Sequence, residues 1–346
     1  MKIKNYRNIS LMTAAVLLLS SVTGCSGNHQ ETKKTIKIGV TLYDQYDTFI
    51  SELIDQFNDY VSAYNSSHDV KISVEINDAS GSQSTQNEQV KVFLEQNYDV
   101  FCVNLVDRTE PTTITDMAEK KNVPIIFFNR ELVAEDLERW DQLYYVGADA
   151  FQSGIMEGQL AAQAYLSDEK YDRNKDGICQ YFVLEGEPGH QDAIVRTESS
   201  INALTDAGLD TEKVGYAIAN WNRAQAKTKT SSALSQYGDS IELILANNDD
   251  MALGAIDALT AAGYTQDNWP VVAGIDGTDV GMQAIKDQLL TCTVYNDKEG
   301  QAKGMLDLVC ALALDEDLSA LNLQDGKYIR MPYYTVTLDS LSEDET

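Results

Sequence analysis

The sequence is short of positive charge. Its 346 residues include 26 Lys and Arg against 54 Asp and Glu, which gives a formal net charge of −28. A surface with this excess of carboxylates repels the phosphates of nucleic acids and of anionic membranes, so a nucleic-acid partner is not expected. The simplest interpretation of the excess is that it keeps the chain soluble.

Histidine and nucleophile motifs are also scarce. The chain has three histidines, His29, His68 and His190, and no G-x-S-x-G segment. A hydrolase needs a poised nucleophile or an acid–base pair. His190 lies beside Asp192 and Arg196, which is more typical of a hydrogen-bonding cluster than of a catalytic one. We therefore predict that the chain is not an enzyme.

The spacing of the cysteines does not indicate a disulfide framework. Apart from Cys25, the thiols are Cys102, Cys179, Cys292 and Cys310, and no C-x-x-C occurs. The first three of these four lie in apolar strand patterns and the last in a helical one. We expect buried free thiols that act as small apolar side chains.

The N-terminal apolar run, LMTAAVLLL, is too short to span a membrane and follows a positively charged start, as in a signal peptide. The run ends in VTGC, which resembles the lipobox of bacterial lipoproteins. By that resemblance residues 1–24 are removed, Cys25 carries the lipid, and the polar residues 25–35 form a tether. The alternative is an ordinary signal peptide with an incidental Cys25.

Strand and helix patterns alternate through the rest of the chain, from TIKIGVTL to a tail strand YIRMPYYTV. Alternation with helices of this length predicts an α/β fold with doubly wound parallel sheets. The number of strands favours two such sheets over one.

A D-x-N-x-D-G segment has the oxygen-ligand spacing of a calcium loop. Position 12, where an EF-hand has its bidentate glutamate, is Val183, and a strand follows instead of a second helix. A last carboxylate would have to come from elsewhere; the alternative is an ordinary Asx-rich turn. The candidate ligands in the loop are Asp172, Asn174, Asp176, the Ile178 carbonyl and Gln180.

The segment GEPGHQDAIVR leaves the next strand and begins a helix, which places His190, Asp192 and Arg196 at a strand end. Ligands of open α/β sheets bind at this edge. The alternative is structural: Asp192 would cap the helix and Arg196 would pair with it at i,i+4.

Polar or aromatic residues stand at seven strand ends in all. Each alone has a structural explanation as a turn residue, but together they indicate a small polyhydroxylated ligand, because planar amides and carboxylates take paired hydroxyls and aromatic faces cover sugar C–H groups. The residues are Asp47, Phe49, Asn129, His190, Asp192, Trp221, Asn248, Asp276 and Asn296.

The motifs together resemble the periplasmic glucose/galactose-binding proteins of ABC importers. The resemblance covers nearly all of the mature chain and rests on GVTLYDQYDTF, PIIFFN, YYVGAD, D-x-N-x-D-G-x-x-Q, GEPGH-x-DA, NW-x-x-AQAK, ANND-x-MA and the final RMPYY. It implies two α/β lobes joined by a three-segment hinge, with the sugar bound between them. It departs from the family pattern at Asn222 and Arg108.

The resemblance also implies the site. It places a pyranose against Asp47, Phe49, Asn129, His190, Asp192, Arg196, Trp221, Asn248, Asp276 and Asn296. It supplies Glu242 as the missing carboxylate of a structural Ca²⁺ site. The first lobe would comprise residues 36–148 and 297–330, and the second residues 149–296 and 331–341.

The function implied is that of an extracytoplasmic substrate-binding protein, anchored to the cell membrane through Cys25, which delivers D-glucose or D-galactose to ABC permease subunits. We expect a monomer. A sugar-sensing module for a chemoreceptor or sensor kinase is an alternative, and a secreted carbohydrate-active enzyme a weaker one. A sugar-responsive repressor would need an N-terminal helix-turn-helix, where this chain has a signal.

Replacing Cys25 tests the lipid anchor. Without the thiol no lipid can be attached, so Cys25→Ser should release the protein from the membrane into the medium. Fractionation of cells that express the two forms measures this. A Cys25→Ser protein that stays membrane-bound and is cleaved normally would remove the lipoprotein assignment.

Overall fold

A computed structural model of the chain describes residues 35–265, 268 and 270–343. The proposed signal peptide, the lipid attachment at Cys25 and nearly all of the tether lie outside these residues. No helix within the described part is long and apolar enough to cross a membrane.

The first lobe is built on a six-stranded sheet in which every pairing is parallel. The strand order is β2-β1-β3-β4-β5-β11. The strands are β1 (Thr35–Leu42), β2 (Lys71–Asp78), β3 (Val100–Val103), β4 (Ile125–Phe128), β5 (Leu143–Ala148) and β11 (Tyr328–Met331).

The second lobe repeats this winding in a four-stranded parallel sheet, in the order β7-β6-β8-β9. An antiparallel pair, β10 with β12, continues it through single bridges from Ala273 to Cys292 and from Asp276 to Tyr295. The strands are β6 (Cys179–Glu185), β7 (Thr211–Ile218), β8 (Leu243–Ala246), β9 (Val271–Ala273), β10 (Thr293–Asn296) and β12 (Tyr333–Val336).

Helices cover both faces of each sheet, as an all-parallel sheet requires. The short α4 lies in a stretch for which the sequence predicts no helix. The helices are α1 (Thr48–Ser67), α2 (Gln83–Glu95), α3 (Thr112–Lys121), α4 (Ala134–Leu137), α5 (Ala150–Leu166), α6 (Gln191–Asp206), α7 (Arg223–Tyr237), α8 (Asp249–Ala261), α9 (Asp279–Lys286), α10 (Lys298–Leu314) and α11 (Leu338–Glu343).

Each sheet has a core on both faces. In the first lobe α1 and α10 close one face, while α2 and α3 close the other. Helix α1 shows why: its apolar residues recur at helical spacing, and Phe49, Leu53 and Phe57 on that stripe are buried. In the second lobe α5 and α6 cover one face, and α7, α8 and α9 the other.

The chain passes between the sheets three times: after β5 at Asp149, between β10 and α10, and between β11 and β12. The prediction of one continuous tail strand, YIRMPYYTV, is wrong, because β11 pairs with β5 in the first lobe and β12 with β10 in the second. Pro332 separates them. Proline has no N–H to donate to a ladder, so the strand ends there.

The expected free thiols are confirmed in the described residues. Cys102, Cys179 and Cys292 are buried, but the expectation that all four are buried is wrong for Cys310, which is only half-buried on α10. Burial raises the pKa of each of these four thiols, which disfavours the reactive thiolate.

A matched pair of phenylalanines tests the packing of the first lobe. Phe57 on α1 is fully buried, whereas Phe151 on α5 is 56% exposed. Phe57→Ala should lower the free energy of unfolding by about 3–5 kcal/mol, because it leaves a cavity, and Phe151→Ala by under about 1 kcal/mol. Denaturant melts of the chain from Ser26 onward measure both. Equal losses would contradict the core assignment.

Candidate functional site

A cavity between the two lobes gathers the strand-end residues. It lies at the carboxyl ends of the strands on both sides, where the strand order reverses, which is the usual ligand position of doubly wound sheets. Nine of the ten predicted side chains line it, and Asn296 does not. The lining residues are Tyr43, Asp47, Phe49, Asn129, Arg130, His190, Asp192, Arg196, Trp221, Asn248 and Asp276.

Tyr43 and Arg130 line the cavity although the sequence analysis missed them. Both follow strand ends: Tyr43 is the first residue after β1, and Arg130 the second after β4. The Arg130 guanidinium lies 3.6 Å from the centre of the Tyr43 ring, and the Tyr43 hydroxyl donates to Asp47. Extending the strand-end rule by one residue would have found both.

Both carboxylate oxygens of Asp47 accept hydrogen bonds from the first lobe. Its Oδ1 accepts from the Ile50 backbone N–H at 2.9 Å and so caps α1, while Oδ2 accepts from Tyr43. The carboxylate is therefore fixed in direction. Each oxygen keeps a further lone pair that can accept from a ligand hydroxyl.

Asn129 enters the cavity from a left-handed backbone conformation, with φ of 61°. Asparagine tolerates this conformation better than most residues. Its side-chain oxygen accepts from Asn104 Nδ2 at 3.1 Å, and the Tyr145 hydroxyl donates to its backbone carbonyl at 2.9 Å. The side-chain NH₂ is then the donor that Asn129 can offer to a ligand.

His190, not Asp192, caps α6. The Asp192 backbone N–H donates to His190 Nδ1 at 3.1 Å, so the prediction of Asp192 as the cap is wrong. The His190 ring is buried, and burial together with the charges of Arg130, Arg196 and Arg108 holds its pKa well below 6.5. The ring is therefore neutral at physiological pH, accepts through Nδ1 and donates through Nε2.

Arg196 holds the second lobe's half of the cavity together. Its Nη1 donates to the Asn247 carbonyl at 2.9 Å, and its Nη2 donates to the Tyr333 hydroxyl at 3.1 Å. The predicted i,i+4 pair is present, with Nη2 3.6 Å from Asp192 Oδ2, and Nη1 lies 3.4 Å from Asp276 Oδ1. Its Nε is buried and has no partner among the described residues.

The Trp221 side chain packs closely against the backbone of its own lobe, the second. It follows β7 with a left-handed backbone, φ of 60°, and its ring lies against Gly186. A Cβ at Gly186 would stand 2.3 Å from the indole, so only glycine fits there. The His190 ring meets the indole edge-on at 5.1 Å. The other aromatic wall, Phe49, comes from α1 of the first lobe.

Asn248 caps α8 through Oδ1, which accepts from Met251 N–H at 3.0 Å, and its Nδ2 donates to the Trp221 carbonyl at 3.3 Å.

Asn296 does not line the cavity itself but contacts Asp276, which does. The Asn296 Nδ2 lies 3.4 Å from Asp276 Oδ1. Burial raises the pKa of Asp276, while Arg196 acts in the opposite direction. Asn296 therefore orients the carboxylate of Asp276.

The two lobes also contact each other directly. Thr48 of α1 donates to Asp250 of α8 at 2.6 Å. Glu52 of α1 accepts from the backbone N–H of Asp279, the first residue of α9, at 2.9 Å, and Lys298 lies 2.8 Å from the Asp279 carboxylate. We call Glu52, Asp279 and Lys298 the Glu52 cluster.

The candidate calcium loop folds as an Asx-rich turn in which several carboxylate oxygens already accept hydrogen bonds. Glu242 accepts from Arg173 N–H at 2.7 Å and from the Tyr165 hydroxyl at 2.9 Å. No three His, Cys, Asp or Glu side chains of the described residues converge on one point. Two oxygens of the loop, Asp172 Oδ1 and Gln180 Oε1, are nevertheless buried and lack a partner within the described chain.

Comparison with known proteins identifies relatives over most of the chain. A profile described as a periplasmic binding protein domain matches residues 38–317. The chain is 35% identical over 311 residues to the D-galactose/methyl-galactoside binding periplasmic protein MglB of Haemophilus influenzae, which covers 89% of this chain and 91% of that protein. It is 29% identical to a putative rhizopine-binding protein of Rhizobium meliloti, with 95% and 96% covered.

Solved structures agree with the fold. An ABC transporter solute binding protein from Bacillus halodurans with bound myo-inositol gives a TM-score of 0.74 at 28% identity, covering 90% of this chain and 98% of that one. A periplasmic solute binding protein from Actinobacillus succinogenes with bound D-allose gives a TM-score of 0.76 at 20% identity, covering 89% and 99%. The chain belongs to the periplasmic binding protein family of ABC transporters, whose members bind substrates and are not enzymes.

Proposed function

We propose that the chain is the extracytoplasmic sugar-binding protein of an ABC importer and that it binds D-glucose or D-galactose in the interlobe cavity. The observation that carries the proposal is the lining: fixed polar groups and two aromatic rings, drawn from both lobes. A ligand that touches both lobes favours the state in which they are together.

The polar groups can satisfy the hydroxyls of a monosaccharide. Asp47, Asp192 and Asp276 supply acceptors, whereas Asn129 and Arg196 supply donors. Each side chain has its direction fixed by bonds to the protein, so little side-chain entropy is lost on binding. Burying a hydroxyl without a partner costs about 1–3 kcal/mol, and this cost is the basis of selectivity.

A pyranose fits better than a furanose. We propose that Phe49 and Trp221 cover opposite faces of the ring, which requires a flat sugar with mostly equatorial substituents. The galactoside-binding relative and the myo-inositol complex support a six-membered polyhydroxylated ring. Asp47 would meet the 4-hydroxyl, by resemblance to the family, and its two acceptor oxygens can serve either epimer.

Delivery to the permease follows from family membership. We propose that the protein acts as a monomer, tethered outside the cytoplasm by a lipid on Cys25, and that ABC permease subunits receive the sugar. A chemoreceptor or sensor kinase as the partner would use the same cavity.

Sugar titration tests the assignment. In calorimetry the chain from Ser26 onward should bind D-glucose and D-galactose and should bind ribose much more weakly. Trp221→Ala removes a ring face and Asp276→Ala removes an acceptor for the ligand hydroxyls, so each should weaken binding roughly 5- to 150-fold. Cys102→Ala, a buried change outside the cavity lining, is the control and should bind normally. Tight ribose binding without either hexose would overturn the ligand while leaving the fold intact.

We also propose a structural Ca²⁺ held by Asp172, Asn174, Asp176, the Ile178 carbonyl, Gln180 and Glu242. What supports it is the pair of buried unpartnered oxygens on Asp172 and Gln180, because a buried acceptor without a donor is costly and a cation removes the cost. Bound calcium would tie the loop before β6 to the start of β8.

Thermal melts test the calcium site. A ligand bound only by the native state stabilises it, so a chelator should lower the melting temperature and added Ca²⁺ should restore it. Asp176→Ala should abolish the response, whereas Asp168→Ala, in the same turn but outside the ligand set, should keep it. Identical melts of the unaltered chain with calcium and with chelator would show that the loop is only a turn.

A further inference from the structure

A second cavity adjoins the sugar cavity. It has a volume of about 280 Å³ and is lined by residues 106–109 of the first lobe, by Arg130, and by residues 187–190 of the second. Arg130 and His190 line both cavities. We call this second space the side cavity.

The two walls of the side cavity are joined by polar contacts between the lobes. Arg130 Nη2 lies 2.6 Å from Glu187 Oε2, and Arg108 Nη2 donates to Gln191 Oε1 at 2.6 Å. Arg108 is also fixed within its own lobe, because its Nε donates to the Glu131 carbonyl at 2.7 Å. The side cavity is therefore assembled by the same approach of the lobes that completes the sugar cavity.

Arg130 stands at the boundary between the two cavities, and its Nε–H is unpaired within the described part of the chain. Its side chain is only 4% exposed, and its Nη1 donates to the Val106 carbonyl at 2.8 Å. Its Nε is buried and has no partner among the described residues. A hydroxyl or a glycosidic oxygen that reached the boundary would supply the missing acceptor.

The lining indicates what kind of group the side cavity accepts. Arg108 and Arg130 are balanced by Asp107 and Glu187, so the space has no net charge to attract a phosphate or a carboxylate. Polar side chains and loop backbone dominate its surface, which disfavours a purely apolar group. Gly189, whose backbone φ is 84°, has open space where a Cβ would stand. A neutral, hydroxylated ring has the matching chemistry.

We propose that the side cavity is a second subsite, which takes a sugar ring glycosidically linked to the hexose in the first cavity. The proposal rests on the proposed function. Its volume is about 280 Å³, against about 30 Å³ for the sugar cavity, so it has room for a further ring. The link between the two rings would pass between His190 and Arg130, with Arg130 Nε as its donor. The protein would then take up hexosyl disaccharides of one linkage as well as the free hexose.

A substitution that fills the side cavity with a larger side chain tests the subsite. Thr109 is exposed on the wall, and its hydroxyl bonds only within its own turn, to Asp107 Oδ1 at 2.7 Å. Calorimetry should use free hexoses and disaccharides in which galactose or glucose is linked through each oxygen in turn, in both anomers. One linkage should bind within about tenfold of the free hexose. Thr109→Trp should weaken that disaccharide at least tenfold and leave the free hexose within about twofold.

Thr228→Trp on the exposed face of α7 makes the same substitution away from both cavities and should change neither affinity. If the unaltered protein binds free hexose but no disaccharide of any linkage, the subsite is overturned and the proposed function stands. An equal loss of both ligands in Thr109→Trp, with an unchanged melting temperature, also overturns the subsite. If no hexose binds at all, both proposals fall.

Discussion

The second lobe's half of the site depends on one buried cation. Arg196 is 3% exposed, and taking its guanidinium out of water is costly unless partners surround it. Its own helix supplies Asp192, and three other segments supply Asn247, Asp276 and Tyr333. Those segments are brought to one place by the requirements of a single side chain, and two of the carboxylates so collected line the cavity. The contacts that stabilise this part of the second lobe therefore also position the carboxylates that line the cavity.

A buried carboxylate performs a similar role one layer deeper. Asp249 Oδ2 accepts from Thr278 N–H at 2.8 Å, and Oδ1 accepts from Thr293 Oγ1 at 2.6 Å. The first bond fixes the C-terminal end of the loop that carries Asp276, and the Asp249 backbone N–H fixes the other end by donating to the Ile275 carbonyl at 2.8 Å. Asp276 itself has a φ of 112°, which is unusual for a non-glycine residue. A strained conformation persists only when its surroundings determine it, and here Asp249 is a principal determinant.

Much of this could be predicted from the sequence, because the strand ends are easily located and parallel strands place those ends together. That rule found eight of the cavity residues. It missed Tyr43 and Arg130, each of which is the residue that follows a predicted strand. It also joined β11 to β12 across Pro332, since an apolar alternation does not show which sheet each half pairs with. His190 as the α6 cap was hidden because histidine is an uncommon cap, and aspartate two residues later fits the usual preference.

The Glu52 cluster bears on affinity in a different way from the cavity. Its contacts between Glu52, Lys298 and the start of α9 are made wholly by protein groups, outside the cavity lining. They stabilise the joined lobes before any ligand contributes, and so raise the fraction of empty molecules that are already competent to bind. Apparent affinity scales with that fraction for every ligand alike. The cluster thus tunes the overall strength of capture, while the choice between one ligand and another is left to the cavity.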